Sequence, residues 1–246
     1  MEKKMIRTTL ISSTAVLMLF VVQVLSGKTG SFVASLFSYE RVDPYNTYAR
    51  ISVHHFVQMI IAIAIIIAFS LFMKVNFNLG FGDRKKGLKY LTVFTLIFGI
   101  VTIIIHVFMY FNNQLPTYDF PLNIRNILGT LGFQLFLSGP SEEILYRALP
   151  VTLLTIVFGK SIKINRHISL EVILASILFA IAHIKWSLIP FTFKADYFQV
   201  IYAFAMGTIQ GVIYQKSRSI LYPILMHSFS NLMMVGTGYL FALLIG

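Results

Sequence analysis

The stretch ISVHHFVQMIIAIAIIIAFSLFM, residues 51–73, decides the class of fold, because it is apolar over a length that crosses a lipid bilayer. Six further stretches of similar character are predicted to span the membrane at residues 8–26, 89–111, 125–155, 168–187, 197–215 and 219–235. A short eighth span is expected at 236–246. The chain is 57% hydrophobic and 12% charged, too little charge for a soluble domain of 246 residues. The sequence therefore predicts an all-α fold, a polytopic transmembrane helical bundle of seven to eight spans.

Most of the basic residues fall in loops on one side of the predicted membrane. If successive spans alternate in direction, that side carries the N-terminus, and the positive-inside rule places it in the cytoplasm. We therefore expect a multi-pass protein of the cell membrane. Attraction to anionic lipids accounts for the basic loops, so the net charge of +11 indicates the lipid bilayer, and no nucleic acid, as a partner.

Three short polar clusters interrupt the predicted spans, each with an i,i+4 spacing: Glu142-Glu143-x-x-x-Arg147, Phe179-x-x-x-His183 and His227-x-x-x-Asn231. A charged group at the bilayer centre costs about 2.5–3.5 kcal/mol on insertion scales, so such groups are usually kept for chemistry or transport. At about 1.5 Å of rise per helical residue, the clusters lie at similar depths. The sequence therefore predicts that the fourth, fifth and seventh spans converge on one polar cavity.

The first cluster combines two carboxylates with one cation. Glu142 and Glu143 are neighbours and point about 100° apart on a helix. Glu143 and Arg147 share a face and can pair, which leaves Glu142 to face the cavity as a general base or acid. The alternative is that all three form a structural ion cluster between helices.

The other two clusters supply imidazoles and an amide. His183 is a candidate catalytic or ligand residue, and Phe179, one turn earlier, is expected to shape the pocket by packing. His227 and Asn231 lie on one helical face, where they can stabilise a developing oxyanion or form hydrogen bonds between helices. The remaining histidines near apolar spans, His54, His55 and His106, are expected to have packing or interface roles.

The fourth predicted span contains a helix-breaking pair. Gly139-Pro140 lies directly before the first cluster, and the span is too long for one straight crossing. Proline removes a backbone hydrogen bond, so a break or kink is predicted there.

Several familiar site types are absent from the sequence. The chain has no cysteine, which excludes disulfides, thiolate metal sites and a cysteine nucleophile. It also lacks the H-E-x-x-H, G-x-S-x-G and P-loop motifs.

The three clusters, in this order, resemble the motifs of the CPBP family of intramembrane proteases, also called the CAAX-protease, bacteriocin-processing or Abi family. The matching segments are Gly139-Pro-Ser-Glu-Glu-Ile-Leu-Tyr-Arg147, Phe179-Ala-Ile-Ala-His183 and His227-Ser-Phe-Ser-Asn231. The resemblance covers about residues 125–235. It implies N-terminal transmembrane helices and loops over 1–124 and a catalytic core over 125–246, in the C-terminal four spans.

The resemblance also implies roles for individual residues. Glu142 resembles the catalytic glutamate, and His183 its partner in activating water. His227 and Asn231 resemble the pair that stabilises the oxyanion.

Three residues of the motifs resemble supporting positions, namely Glu143, Arg147 and Phe179. The chain departs from the family pattern at Tyr146, where phenylalanine is common, and at Ala148, where glycine is common. All polar motif residues are present, so an active enzyme is expected.

The cofactor requirement has two readings, because the family is often labelled as metalloprotease. Glu142, His183 and His227 could hold a divalent metal such as zinc with an open fourth position. Glu142 cannot easily be both the sole carboxylate ligand and the general base, which favours a mechanism without a metal.

The resemblance implies cleavage of a peptide or membrane-protein substrate. Bacteriocin or pheromone processing, immunity and CAAX-type processing are all consistent with it, and the composition, typical of low-GC bacteria, favours peptide maturation. Two other classes stay open: a non-catalytic membrane scaffold or sensor of the same fold, and a proton-coupled transporter. The transporter is disfavoured because internal repeats and matched broken helices are not evident.

Overall fold

The computed structural model describes residues 2–188 and 190–245. These residues form seven helices and one short antiparallel hairpin. In chain order they are α1 (Glu2–Ser35), α2 (Ala49–Met73), α3 (Arg84–Phe111), α4 (124–157), α5 (Leu170–Ala182), β1 (Lys185–Leu188), β2 (Phe191–Lys194), α6 (Tyr197–Ser217) and α7 (Leu221–Ile245). The predicted helical membrane fold is confirmed, with the hairpin as its one addition among the described residues.

Four helices in the described part of the chain are long and apolar enough to cross a membrane: Leu10–Ser35, Ala49–Met73, Arg84–Phe111 and Leu221–Ile245. Helix α5 is apolar but shorter. The prediction of seven to eight spans is therefore confirmed only for four helices. Helix α4 is long enough to cross a membrane, but it carries the charged residues of the first cluster and is therefore less apolar than the four helices above.

Several predicted boundaries differ from the structure. Helix α1 continues to Ser35, beyond the expected end at 26. Helix α5 ends at Ala182, because the next residues pair in the hairpin, where Lys185 faces Lys194. Helix α7 runs without interruption to Ile245, so the separate eighth span predicted at 236–246 is wrong.

Helix α4 stays continuous but alternates between two geometries. Its α-helical segments are Ile124–Phe133, Gly139–Glu143 and Leu149–Val157, and its π-helical segments are Gln134–Ser138 and Ile144–Ala148. Each π segment ends two residues before a proline, Pro140 or Pro150. The expected break at Pro140 is therefore replaced by wide turns, which are common at functional sites.

The first cluster lies at the centre of the bundle, because α4 is surrounded by other helices. Arg147 and Glu143 are fully buried. Gly139 allows α4 to approach α7 closely, since a Cβ there would collide with the Ser228 hydroxyl and the Ile224 carbonyl. This close approach brings the motif residues of α4 next to those of α7.

The loop between α1 and α2 is organised by Asp43, which is 2% exposed. Its carboxylate accepts hydrogen bonds from the backbone N–H groups of Thr47, Tyr48 and Ala49 at 2.9, 2.7 and 2.8 Å. Burial raises the pKa of Asp43, but these backbone hydrogen bonds outweigh burial, so that the pKa lies below its ordinary value. The loop therefore fixes the start of α2 through one ionised side chain.

Candidate active site

Each of the three sequence clusters contributes polar residues to one cavity of about 300 Å³. Helices α2, α4, α5, α6 and α7 contribute to its wall, which includes Glu142, His183, His227 and Asn231. The predicted convergence of the fourth, fifth and seventh helices is therefore confirmed. Helices α2 and α6 complete the enclosure, which the sequence had not indicated.

Glu142 lies between two imidazoles that approach its two oxygens separately. Its Oε1 is 3.0 Å from Nε2 of His55 on α2. Its Oε2 is 3.7 Å from Nε2 of His227 on α7. The side chain is 17% exposed, so it reaches the cavity while most of its surface contacts protein. One oxygen is therefore held by α2, and the other is directed towards the remaining site residues.

Glu143 has a second partner, His227, in addition to the expected Arg147. The predicted pair with Arg147 is present, with Nε 3.4 Å from Oε2, but Nδ1 of His227 is closer, at 2.7 Å from Oε1. An ionised carboxylate only accepts hydrogen bonds, so Nδ1 of His227 carries a proton and donates it. Glu143 thus orients the His227 ring so that Nε2 faces Glu142.

The Arg147 guanidinium is fully buried under the floor of the cavity. Its Nη2 donates to Oε1 of Gln210 at 3.0 Å, and its Cζ lies 3.8 Å from the centre of the Phe179 ring. The Phe179 ring also meets the His183 ring edge-on, with centroids 4.6 Å apart. Phe179 therefore does more than fill space, because it stacks on the cation and abuts the imidazole.

His183 lies at the C-terminal end of α5, and its ring orientation is fixed by the backbone. Its Nδ1 is 2.9 Å from the Phe179 carbonyl, which accepts the hydrogen bond. This leaves Nε2 free for the cavity. Within the described residues His183 has no direct hydrogen bond to Glu142, although both side chains line the same cavity.

Asn231 lies in the cavity wall, but its amide group is already bonded to α4. Its Nδ2 donates to Oε1 of Gln134 at 2.9 Å and to Oγ of Ser138 at 3.0 Å. Both amide hydrogens are therefore used in this state. To donate to an oxyanion, as the resemblance implies, Asn231 has to exchange one of these bonds.

The expected metal ligands do not fit a preformed metal site. Among the described residues, no group of three or more His, Cys, Asp or Glu side chains is arranged to hold a metal ion. One oxygen of Glu142 is bonded to His55, and Nδ1 of His227 is bonded to Glu143. The remaining atoms, Oε2 of Glu142 and Nε2 of His227, face each other 3.7 Å apart.

Two residues in the cavity were not predicted from the sequence. His55 was expected to have a packing role, yet it makes the shortest contact to Glu142 in the cavity. Gln210 lies on α6 between two glycines, and it is 1% exposed. Both are polar residues within predicted spans, and that position was a signal for function.

The site therefore brings a carboxylate, several imidazoles and an amide together in one cavity within a bundle of helices. Residues 124–233, which include every residue of the three clusters, match the family model described as type II CAAX prenyl endopeptidase Rce1-like. This part of the chain is similar to that family of membrane proteases, which agrees with the resemblance to the CPBP proteases. No curated protein and no solved structure matches the chain.

Proposed function

We propose that the protein is an intramembrane endopeptidase that uses Glu142 as its general base and hydrolyses a peptide bond in a membrane-associated or precursor peptide. The observation that supports this best is the position of Glu142. Its carboxylate reaches the cavity with Oε2 towards His227, and it shares that cavity with His183. A carboxylate held in this way can take a proton from water.

The first step is the activation of water between Glu142 and His183. Glu142 takes one proton, and the water oxygen forms a bond to the carbonyl carbon of the scissile peptide bond. His183 positions the water through Nε2, because its Nδ1 is occupied by the Phe179 carbonyl. The carbonyl oxygen becomes an oxyanion as the carbon becomes tetrahedral.

The oxyanion is stabilised by His227 together with Asn231. Carboxylates face both nitrogens of His227, Glu143 at 2.7 Å and Glu142 at 3.7 Å. Glu143 accepts the hydrogen bond from Nδ1, whereas 3.7 Å is too long for a hydrogen bond between Nε2 and Glu142, so the Nε2–H of an imidazolium is available to the oxyanion. Loss of one oxyanion donor typically lowers the rate by about 10²–10³.

The tetrahedral intermediate collapses when the proton held by Glu142 passes to the leaving nitrogen. The carbon–nitrogen bond breaks, and the products are a carboxylic acid and an amine. One water molecule is consumed, and Glu142 returns to its starting state. Glu143 and Arg147 keep the charges around His227 balanced throughout.

The test compares the wild-type protein with Glu142→Gln in proteoliposomes. The probes are a quenched-fluorescence farnesylated peptide ending in Cys-aliphatic-aliphatic-X, its form without the prenyl group, and small secreted and membrane peptides from cells, read by mass spectrometry. We expect the wild type to cleave at least one class, and the variant to be slower by about 10²–10⁴-fold. Full cleavage by Glu142→Gln refutes the assignment. An unaltered cellular phenotype with this inactive variant favours a scaffold.

A further inference from the structure

The hydrogen bonds of His55 define where its protons are. Nδ1 lies 3.1 Å from the backbone carbonyl of Ile51, and a carbonyl only accepts, so Nδ1 carries a hydrogen. Nε2 lies 3.0 Å from Oε1 of Glu142. This second contact is a hydrogen bond only if one proton lies between Nε2 and Oε1, on either atom. The two side chains therefore share a single proton.

We propose that His55 is a positioning residue that holds the Glu142 carboxylate by Oε1, so that Oε2 is directed to the cavity. This inference rests on the proposed function. The water proton is taken up by Oε2 and returned from it, while the proton shared with His55 stays on Nε2 and is donated as a hydrogen bond to Oε1. His55 touches neither water nor substrate in this scheme, and it acts only through Glu142.

The surroundings of His55 keep its ring in one orientation. The residue is 8% exposed. The His55 ring packs edge-to-face with the ring of Phe133 on α4, with centroids 5.0 Å apart and ring planes at 82°. The Ile51 carbonyl fixes the opposite side of the ring. A hydrogen-bond donor that is fixed before the reaction needs no reorganisation during it.

The neighbouring residue His54 provides a matched comparison. Its ring lies 5.1 Å from that of His55, but its Nδ1 is 3.1 Å from the Ser31 hydroxyl, and it lines a different cavity of about 530 Å³. Both nitrogens of His55 are already engaged, so His54 is not part of the shared-proton pair. The two histidines are the same residue type, on the same helix, with different partners.

The experiment measures kcat and KM for the farnesylated Cys-aliphatic-aliphatic-X peptide in proteoliposomes, or for whichever probe the wild type cleaves. We expect His55→Phe to lower kcat by about 10- to 100-fold with KM nearly unchanged, as for a lost hydrogen bond to a charged group. His55→Gln should keep kcat within a few fold, because an amide N–H can reach Oε1. His54→Phe should behave as the wild type.

A packing role predicts the opposite order. Phenylalanine keeps the ring contact with Phe133, so full activity of His55→Phe with a poor His55→Gln overturns the inference. Infrared difference spectra, with Glu142→Gln as reference, give a readout that needs no turnover. The Glu142 carboxylate band should shift in His55→Phe or, if that variant does not fold, in His55→Met, and an unshifted band also overturns the inference. Full activity of Glu142→Gln would instead remove the proposed function itself.

Discussion

The buried ion pair of Glu143 and Arg147 beneath the cavity leads to a prediction about the stability of the fold. Glu143 has two partners, His227 and Arg147, whereas Arg147 has Glu143 as its ion-pair partner and Gln210 as its one hydrogen-bond partner among the described residues. Replacing Glu143 by glutamine keeps the shape and a hydrogen-bond acceptor for His227. It leaves the buried guanidinium without its ion-pair partner.

The magnitudes follow from this asymmetry. Breaking a buried ion pair by removing one partner costs about 3–5 kcal/mol, so we expect Glu143→Gln to lower the free energy of unfolding by that amount. Arg147→Met should cost only about 1–3 kcal/mol, because Glu143 keeps its bond to His227. The double variant removes both charges, and it should be more stable than the sum of the single effects by at least about 2 kcal/mol.

The assay is reversible unfolding of the purified protein in detergent micelles, followed by circular dichroism for the wild type, both single variants and the double variant. The conservative variant Arg147→Lys controls for charge, since it keeps the cation while losing the guanidinium plane that stacks on Phe179. Additive effects of the two substitutions would refute the reasoning, and so would equal costs for Glu143→Gln and Arg147→Met.

Three further predictions concern other parts of the molecule. Asp43 has a lowered pKa, so its contribution to stability is present above the ordinary carboxyl pKa of 3.8 and is lost as the pH falls through the pKa of the folded protein. In the Asp43→Asn variant, the melting temperature should therefore depend less on pH in this acid range. With an impermeant thiol reagent, a single cysteine at the exposed position Tyr45 should react in intact cells, and one at the exposed position Leu79 should react only after the cells are permeabilised. Peptidase activity should survive strong chelators, and restoration by added zinc would contradict the donor geometry.

The convergence of the three clusters on one cavity could be predicted because it follows from the spacing and depth of the polar residues within each helix. Polar residues at i and i+4 share one face of a helix. Charged groups within a bilayer pair with other polar groups or face a water-filled cavity, so the similar depths of Glu142 and His227 indicated one shared cavity. The pairing of Glu143 with Arg147 followed from the same spacing. These inferences need only helix geometry and the cost of burial.

The partners of the motif residues could not be predicted in the same way, because they come from distant parts of the chain. His55 meets Glu142 across 87 positions, and Asn231 meets Gln134 across 97. Hydropathy shows that His55 lies in a span, but it does not show which face turns towards α4. The helix ends could not be predicted from hydropathy either. Helix α1 continues to Ser35 through polar residues that remain helical in the folded protein.

The two π segments of α4 each accommodate one residue more than an α turn would. Deleting a single residue from Gln134–Ser138 would restore ordinary α-helical winding there, and the side chains that follow would keep their direction towards Asn231. The same deletion in an α-helical segment would instead rotate the residues on one side of it by about 100° relative to the other side. The π segments are therefore the places where α4 can change in length at the least cost to the direction of its carboxylates.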